Sequence, residues 1–178
     1  MRLLALFLLT SGCAAVNPLL KFAGKGMSLL KPVFSLENKL QGTLLGSIGQ
    51  VDREEVKAEL AALDSEPCVI YTYGLSPFST EALSLLESTG VSYEKRELGL
   101  EWFLLGPKAS ATRLELEYLT GQSSLPHIFI GGEHIGGLST GSPGLIELVE
   151  SGELQAKVAA ASKMKIDPKK KTLFQLPF

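Results

Sequence analysis

The sequence predicts an α/β fold in which a four-stranded mixed sheet is flanked by helices, with an N-terminal helical extension before it. From Cys68 onward, strand-like and helix-like segments follow one another in the order β-α-β-α-β-β-α. A helix that crosses over between the first two strands makes those strands parallel. The pair Gly131 and Gly132 suits a tight hairpin turn, which makes the last two strands antiparallel.

Four short segments are predicted as strands. The first is apolar, and the second alternates, with Val91, Tyr93 and Lys95 on one face. The third and fourth flank the glycine pair. In order, the segments are CVIYT at 68–72, VSYEKREL at 91–98, LPHIFI at 125–130 and EHIGG at 133–137.

Residues that favour the start or the end of a helix lie at the ends of the predicted helices. One helix places Ala82, Leu85 and Leu86 on one face and stops at Gly90. The last helical region is predicted to begin at Ser142, with Pro143 in its first turn. A further helix, residues 112–121, closes at Gly121 and places Arg113 and Glu117 one turn apart.

Two amphipathic segments precede the sheet and form the predicted helical extension, residues 37–66. In residues 33–48, apolar residues recur at helical spacing, although two glycines interrupt the run. Asp52 and Glu55 form a capping-box pattern at the start of a second helix. Both helices are expected to pack their apolar faces against the domain. Those faces are Val33, Leu36, Leu40, Leu44 and Ile48 in the first and Val56, Leu60 and Leu63 in the second.

The two chain ends are basic. Residues 1–15 begin with Met1 and Arg2, continue with an apolar stretch and end in small residues, as a signal peptide does. The acid-free segment 16–36 is typical of a plastid transit segment behind it, so the predicted location is secretory entry and the plastid of an alga. The apolar stretch is too short for a transmembrane helix, which needs ~20 residues, so no integral membrane segment is expected in the mature form. Residues 162–178 are expected to be a mobile basic tail.

Composition narrows the possible functions. The net charge of −2 gives no general attraction to nucleic acid. The chain has two cysteines, Cys13 in the predicted signal peptide and Cys68 at the start of the first strand. A CxxC redox or metal motif is excluded, and Cys68 is interpreted as a small buried core residue.

Between Cys68 and Ala160 the chain resembles the glutaredoxin family, which has the thioredoxin fold. The first strand leads to SPFS at 76–79, where the family has Cys-Pro-Tyr/Phe-Cys, and VSYEKREL resembles the second strand. TGQSSLPHIFIGGEHIGG resembles the stretch with the cis-proline and paired glycines, and LIELVESGEL resembles the closing helix. The resemblance implies a glutaredoxin-like domain at 67–161 and a glutathione-dependent thiol–disulfide oxidoreductase activity.

On this resemblance, Ser76 and Ser79 occupy the positions of the catalytic cysteines. A serine hydroxyl does not ionise near neutral pH and forms no analogue of a mixed disulfide, so the chain is predicted to be redox-inactive. Ser76 is expected to cap the following helix, with Pro77 in its first turn. A serine esterase using His127 as base is disfavoured, because no acid is placed to orient the histidine. The alternative is an active oxidoreductase that uses an unidentified thiol.

The resemblance also implies a glutathione groove. Leu125 would pair with the tripeptide backbone beside a cis bond to Pro126, and Gly136 and Gly137 would allow close approach. Tyr73 replaces a lysine and Thr140 an acid, so glutathione is expected to bind weakly. The candidate ligand-binding residues are Tyr73, Gln122, Leu125, Pro126, Gly137, Leu138, Ser139 and Thr140.

No cofactor follows with certainty from this pattern. An iron–sulfur cluster would need a thiolate at position 76, and His127 with His134 supplies two imidazoles without a third zinc ligand. The predicted function is therefore a module that binds a protein, peptide or small ligand in the cis-proline groove. The apolar segment from Trp102 to Leu105 is a further candidate contact surface, although core packing is the more ordinary role for Trp102.

Overall fold

The predicted four-stranded mixed sheet is present, and it is flanked by helices. A computed structural model describes residues 31–48, 52–101 and 105–166. The strands lie in the order β2-β1-β3-β4. They are β1 (Cys68–Tyr73), β2 (Glu94–Gly99), β3 (His127–Ile130) and β4 (Glu133–Gly136), with β1 parallel to β2 and antiparallel to β3, and β3 antiparallel to β4.

Six α-helices lie in the described residues. Helix α1 spans Lys31–Ile48 and α2 spans Arg53–Ala61, followed by a 3₁₀ turn at Ala62–Ser65; α3 spans Pro77–Ser88, α4 Pro107–Thr120, α5 Leu145–Glu150 and α6 Leu154–Ile166. None of them is both long enough and apolar enough to span a membrane.

The two faces of the sheet bury separate apolar clusters. One face packs against α3, α5 and α6, with Ile70, Leu86 and Ile128 at its centre. The other face packs against α2 and α4, with Tyr71 and Phe129 in edge contact, their ring centroids 6.2 Å apart. Because both faces are covered, β1 is buried along its whole length.

Several predicted details of the helices are confirmed. Val56, Leu60 and Leu63 are buried in the core, as are Ala82, Leu85 and Leu86. Helix α4 ends at Gly121, whose φ of +70° is the left-handed conformation that favours glycine.

The predicted capping box does not form, and Arg113 and Glu117, which lie one turn apart as expected, bond to other residues. Asp52 caps α2 by accepting from the Glu54 amide at 2.9 Å, but Glu55 contacts Lys108 and does not complete a capping box. On α4, Arg113 and Glu117 both turn toward α1 and bond to residues of that helix. Bonding partners far away in the sequence therefore replace the local pairs.

Three element starts were predicted wrongly. Helix α4 begins at Pro107, five residues before the predicted start at Thr112. Strand β2 begins at Glu94, three residues after the predicted start, because its first partner on β1 is Val69 and β1 itself only begins after Pro67. Helix α5 begins at Leu145, not at Ser142. The amide of Gly144 still bonds back to the Ile135 carbonyl at 2.9 Å, so the chain is turning there.

The prediction for the apolar face of α1 was also wrong. The helix is present and continues through its glycines, but Val33, Leu36, Leu40 and Leu44 are 62–65% exposed. The polar side of α1 packs on α4 instead.

Some predictions concern residues outside the described ranges. They are the leader up to residue 30, the Trp102–Leu104 part of the apolar segment, and the tail from residue 167. Of the predicted tail, residues 162–166 belong to α6.

Candidate functional site

The SPFS segment begins helix α3 and closes onto the end of β1. Ser76 has extended backbone angles, and its hydroxyl accepts a hydrogen bond from the Ser79 amide at 3.4 Å, which confirms the predicted cap. Ser79 is fully buried, and its hydroxyl accepts from the Tyr73 amide at 3.2 Å. The Ser79 hydroxyl thus links β1 to α3 and does not accept a hydrogen bond from the free amides at the start of α3.

The peptide bond between Leu125 and Pro126 is cis, as expected. The β1–β3 register pairs Tyr71 with His127. Continued by two residues, this register places Leu125 level with Tyr73, at the end of β1 that leads into the SPFS turn. In the described part of the chain, the backbone groups of Leu125 form no hydrogen bond. An extended peptide could therefore pair with them.

Gln122 and Thr140 join the two loops that border the cis-proline. The Thr140 hydroxyl donates to Gln122 Oε1 at 3.1 Å, and Gln122 Nε2 donates to the Pro126 carbonyl at 2.9 Å. A β-carbon on Gly137 would lie 2.8 Å from the Pro126 carbonyl oxygen, so only glycine fits this junction. The structure thus brings together Gln122, Pro126, Gly137 and Thr140, while neither side chain of the Gln122–Thr140 pair carries a charge.

The other candidate binding residues are placed differently. Leu138 is a core residue, packed with α3 and α5, and Ser139 is half-buried. Tyr73 is buried in the α2/α4 cluster, and its hydroxyl has no hydrogen-bond partner in the described residues. Burial raises the pKa of Tyr73 above its ordinary value. The Tyr73 side chain therefore carries no charge at neutral pH.

The two histidines lie side by side on the hairpin. His127 Nδ1 is 3.2 Å from His134 Nε2, and the ring centroids are 5.1 Å apart. Burial lowers the pKa of His134 to about 4, and burial together with the neighbouring His134 holds the pKa of His127 well below 6.5. In residues 31–48, 52–101 and 105–166, no three His, Cys, Asp or Glu side chains group as metal ligands would.

Cys68 lies at the start of β1 and is fully buried. Burial raises the pKa of its thiol to about 12, so the thiolate is negligible at neutral pH. Cys68 begins the strand that ends at Tyr73, so the strand's length separates it from the SPFS turn. It is a core residue, as the sequence indicated.

A separate cavity of about 310 Å³ lies between α2, α4 and the β2 edge. Arg96 and Lys108 border it, but each is already paired, Arg96 with Glu94 at 2.7 Å and Lys108 with Glu59 at 2.6 Å. The cations of this cavity are therefore neutralised by the chain itself.

Comparison with known proteins identifies the family. A sequence model of the glutaredoxin family matches residues 68–135. "Monothiol glutaredoxin-S12, chloroplastic" of Arabidopsis thaliana is 32% identical over 137 residues, which cover 77% of this chain and 70% of that protein. The chain belongs to the glutaredoxin family.

Further glutaredoxins match over less of their length or through the fold. "Monothiol glutaredoxin-S10" of Oryza sativa subsp. japonica is 36% identical, with 61% of this chain and 59% of that protein covered. Among solved structures, the holo form of glutaredoxin C1 from Populus tremula x tremuloides superposes with a TM-score of 0.52 at 26% identity, covering 62% of this chain and 92% of the other. These matches confirm the thioredoxin-like fold and the thiol–disulfide oxidoreductase family.

Sequence reasoning missed the polar contacts that join α1 to this glutaredoxin domain. Arg113 is 2% exposed and donates to Glu37 at 2.9 Å, and the buried Asn38 donates to Glu117. The only available sign in the sequence was the unusual density of charge in RLELE, residues 113–117, within a helix that had to be buried.

Proposed function

We propose that this protein is a redox-inactive glutaredoxin-domain module that holds an extended ligand along the cis-proline groove. The observation that carries the proposal is Ser76 at the start of α3, at the position where the family resemblance puts the attacking cysteine. The unpaired backbone of Leu125 supports a groove that binds through main-chain contacts.

The proposal of inactivity rests on the difference between oxygen and sulfur. A cysteine at a helix start is a nucleophile because its pKa, ~8.5 when free, is lowered there. A serine hydroxyl has no accessible anion near neutral pH, and its oxygen forms no mixed disulfide. Cys68 does not replace it, since its thiol is buried and protonated.

A glutathione-coupled assay that reduces a mixed disulfide tests this proposal. We expect no turnover above background from the natural chain and measurable turnover from Ser76→Cys. Ser84→Cys is the matched control, because Ser84 is exposed on the same helix but away from its start. Equal and high turnover by the natural chain and Ser76→Cys would establish instead that the protein is an active oxidoreductase with another thiol.

Glutathione itself is proposed to be a weak ligand. Neither Thr140 nor Tyr73 supplies the charge that the family resemblance assigns to these positions, and each lost charged hydrogen bond weakens binding by ~1.5–3 kcal/mol. Thr140→Asp should therefore bind glutathione at least about tenfold more tightly, whereas Thr140→Asn, which has nearly the same shape without charge, should not. Titration calorimetry that gives micromolar affinity for the natural chain would contradict the proposal.

We also propose a plastid location and the domain division stated above, with the helical extension beginning at Lys31, where α1 starts, and not at residue 37. The names of two similar proteins from Arabidopsis thaliana contain the word chloroplastic, which supports the location. The family match at 68–135 lies within the proposed domain at 67–161, although Val56 and Leu60 of α2 share its core. Microscopy of residues 1–36 fused to a fluorescent protein would test the location.

A further inference from the structure

The loop that joins α4 to the cis-proline is held by two side chains of α4. Thr120 Oγ1 accepts a hydrogen bond from the Gln122 amide at 3.1 Å, and Arg113 Nε donates to the Ser123 carbonyl at 3.4 Å. Arg113 and Thr120 are seven residues apart, so they lie on the same face of the helix. Both bonds end on the backbone just before Leu125, whose main chain is the proposed pairing edge for a ligand.

The guanidinium of Arg113 is shared between this loop and α1. Its Nη1 donates to Glu37 Oε2 at 2.9 Å and to Gln41 Oε1 at 3.4 Å, while Nε carries the bond to Ser123. A guanidinium is planar and rigid, so a bond that orients Nη1 also orients Nε. Because the side chain is 2% exposed, contacts with the protein set this orientation.

The charge that balances Arg113 comes from outside the part of the chain that matches the family. Burying a guanidinium is costly unless an anion pairs with it, and Arg113 forms its ion pair with Glu37 of α1. The family model matches residues 68–135, which include Arg113 and the cis-proline loop but not α1. The helical extension thus supplies the counter-charge for a residue that holds the loop of the groove.

The Arg113–Glu37 pair has one side open to solvent, since Glu37 is 26% exposed. Without the Glu37 carboxylate, the guanidinium would be hydrated by turning toward that side. The same rotation would withdraw Nε from the Ser123 carbonyl. The bond to the loop therefore depends on the bond to α1.

We propose that Arg113 is a positioning residue for the cis-proline groove and that α1, through Glu37, keeps it in position. The inference rests on the proposed function, because it takes the groove as the binding site. On this view the helical extension fixes the backbone of Leu125 for pairing with a ligand, although α1 itself does not touch the ligand.

Backbone order parameters, measured by NMR relaxation on the full chain, test the effect on the loop. In Glu37→Gln, the values at residues 123–125 should fall from the rigid-backbone level of ~0.85 to roughly 0.6–0.7. Glu59→Gln is the matched control, and it should leave these values unchanged. It removes a pair between α2 and Lys108, which lies in the first turn of α4, at the opposite end of the helix from the loop.

Arg113→Lys separates the charge of Arg113 from the shape of its side chain. The ammonium can pair with Glu37 but has no second nitrogen for the Ser123 carbonyl, so the loop should loosen as much as in Glu37→Gln. Unchanged order parameters in Glu37→Gln or in Arg113→Lys would overturn the inference. An equal fall in Glu37→Gln and Glu59→Gln would also overturn it, because the effect would then be a general loss of stability.

The effect on binding is measured in the Ser76→Cys background with the glutathione-coupled assay described above. Adding Glu37→Gln should raise KM for the mixed disulfide at least about fivefold and change kcat less than about twofold, because the loop orients the ligand and takes no part in the chemistry. Adding Glu59→Gln should change neither. An unchanged KM despite a looser loop would overturn the inference. Absence of turnover in Ser76→Cys would count against the proposed function, and the order parameters would then decide the inference by themselves.

Discussion

Arg113→Met should lower the free energy of unfolding by about 2–4 kcal/mol. The Arg113 side chain is 2% exposed, and it forms an ion pair that joins α4 to Glu37 of α1. Removing one partner of a fully buried pair costs ~3–5 kcal/mol. Glu37 retains 26% exposure and is partly rehydrated after the change, which moves the expected cost toward the lower end.

Thermal and urea unfolding measure this effect. In a protein of this size, ~1 kcal/mol shifts the midpoint temperature by roughly 2–4 °C, so a fall of roughly 4–16 °C is expected. Lys108→Met, on the same helix but 55% exposed, is the control and should leave the transition unmoved. The reasoning fails if Arg113→Met unfolds at the natural midpoint, or if its effect is undiminished in a Glu37→Gln background.

Two further predictions concern the hairpin and the loop after it. Gly136→Ala should destabilise the protein by at least ~3 kcal/mol, because a β-carbon would lie 2.0 Å from the Thr140 carbonyl oxygen at a φ of +109°. The control is Gly90→Ala, which has open space around it and should cost ~1 kcal/mol. Equal losses of stability in the two variants, measured by calorimetry, would refute the predicted clash. Stability should fall as pH drops below ~6.5, because the unfolded chain protonates its histidines before the folded one does. The free energy of unfolding should change by at most ~1.4 kcal/mol per pH unit for each of His127 and His134, and for His134 this change continues down to about pH 4. Urea unfolding of His134→Gln should show a flatter dependence of stability on pH. An unchanged dependence would exclude the histidines as its origin.

The sequence was sufficient for the element types but not for the orientation of α1. Apolar spacing identifies which face of a helix is apolar, and for most helices that face is buried. In α1, Glu37 and Asn38 find partners more than 70 residues away on α4, and these distant bonds decide the orientation. No local pattern contains that information.

The site was predictable in its backbone and less so in its side chains. The cap at Ser76 follows from helix-start chemistry, and the cis bond before Pro126 followed from family resemblance. The bond between Gln122 and Thr140 joins two loops 18 residues apart, and it depends on how closely Gly137 lets them approach. Such contacts require the tertiary arrangement.

The two open edges of the sheet have a consequence for behaviour at high concentration. On one edge, β2 carries four consecutive charged residues, Glu94 to Glu97, and on the other, β4 is only four residues long. Charged and short edge strands are poor templates for adding a strand from another molecule. We therefore expect concentrated solutions of the folded protein to resist fibril formation through edge-to-edge pairing.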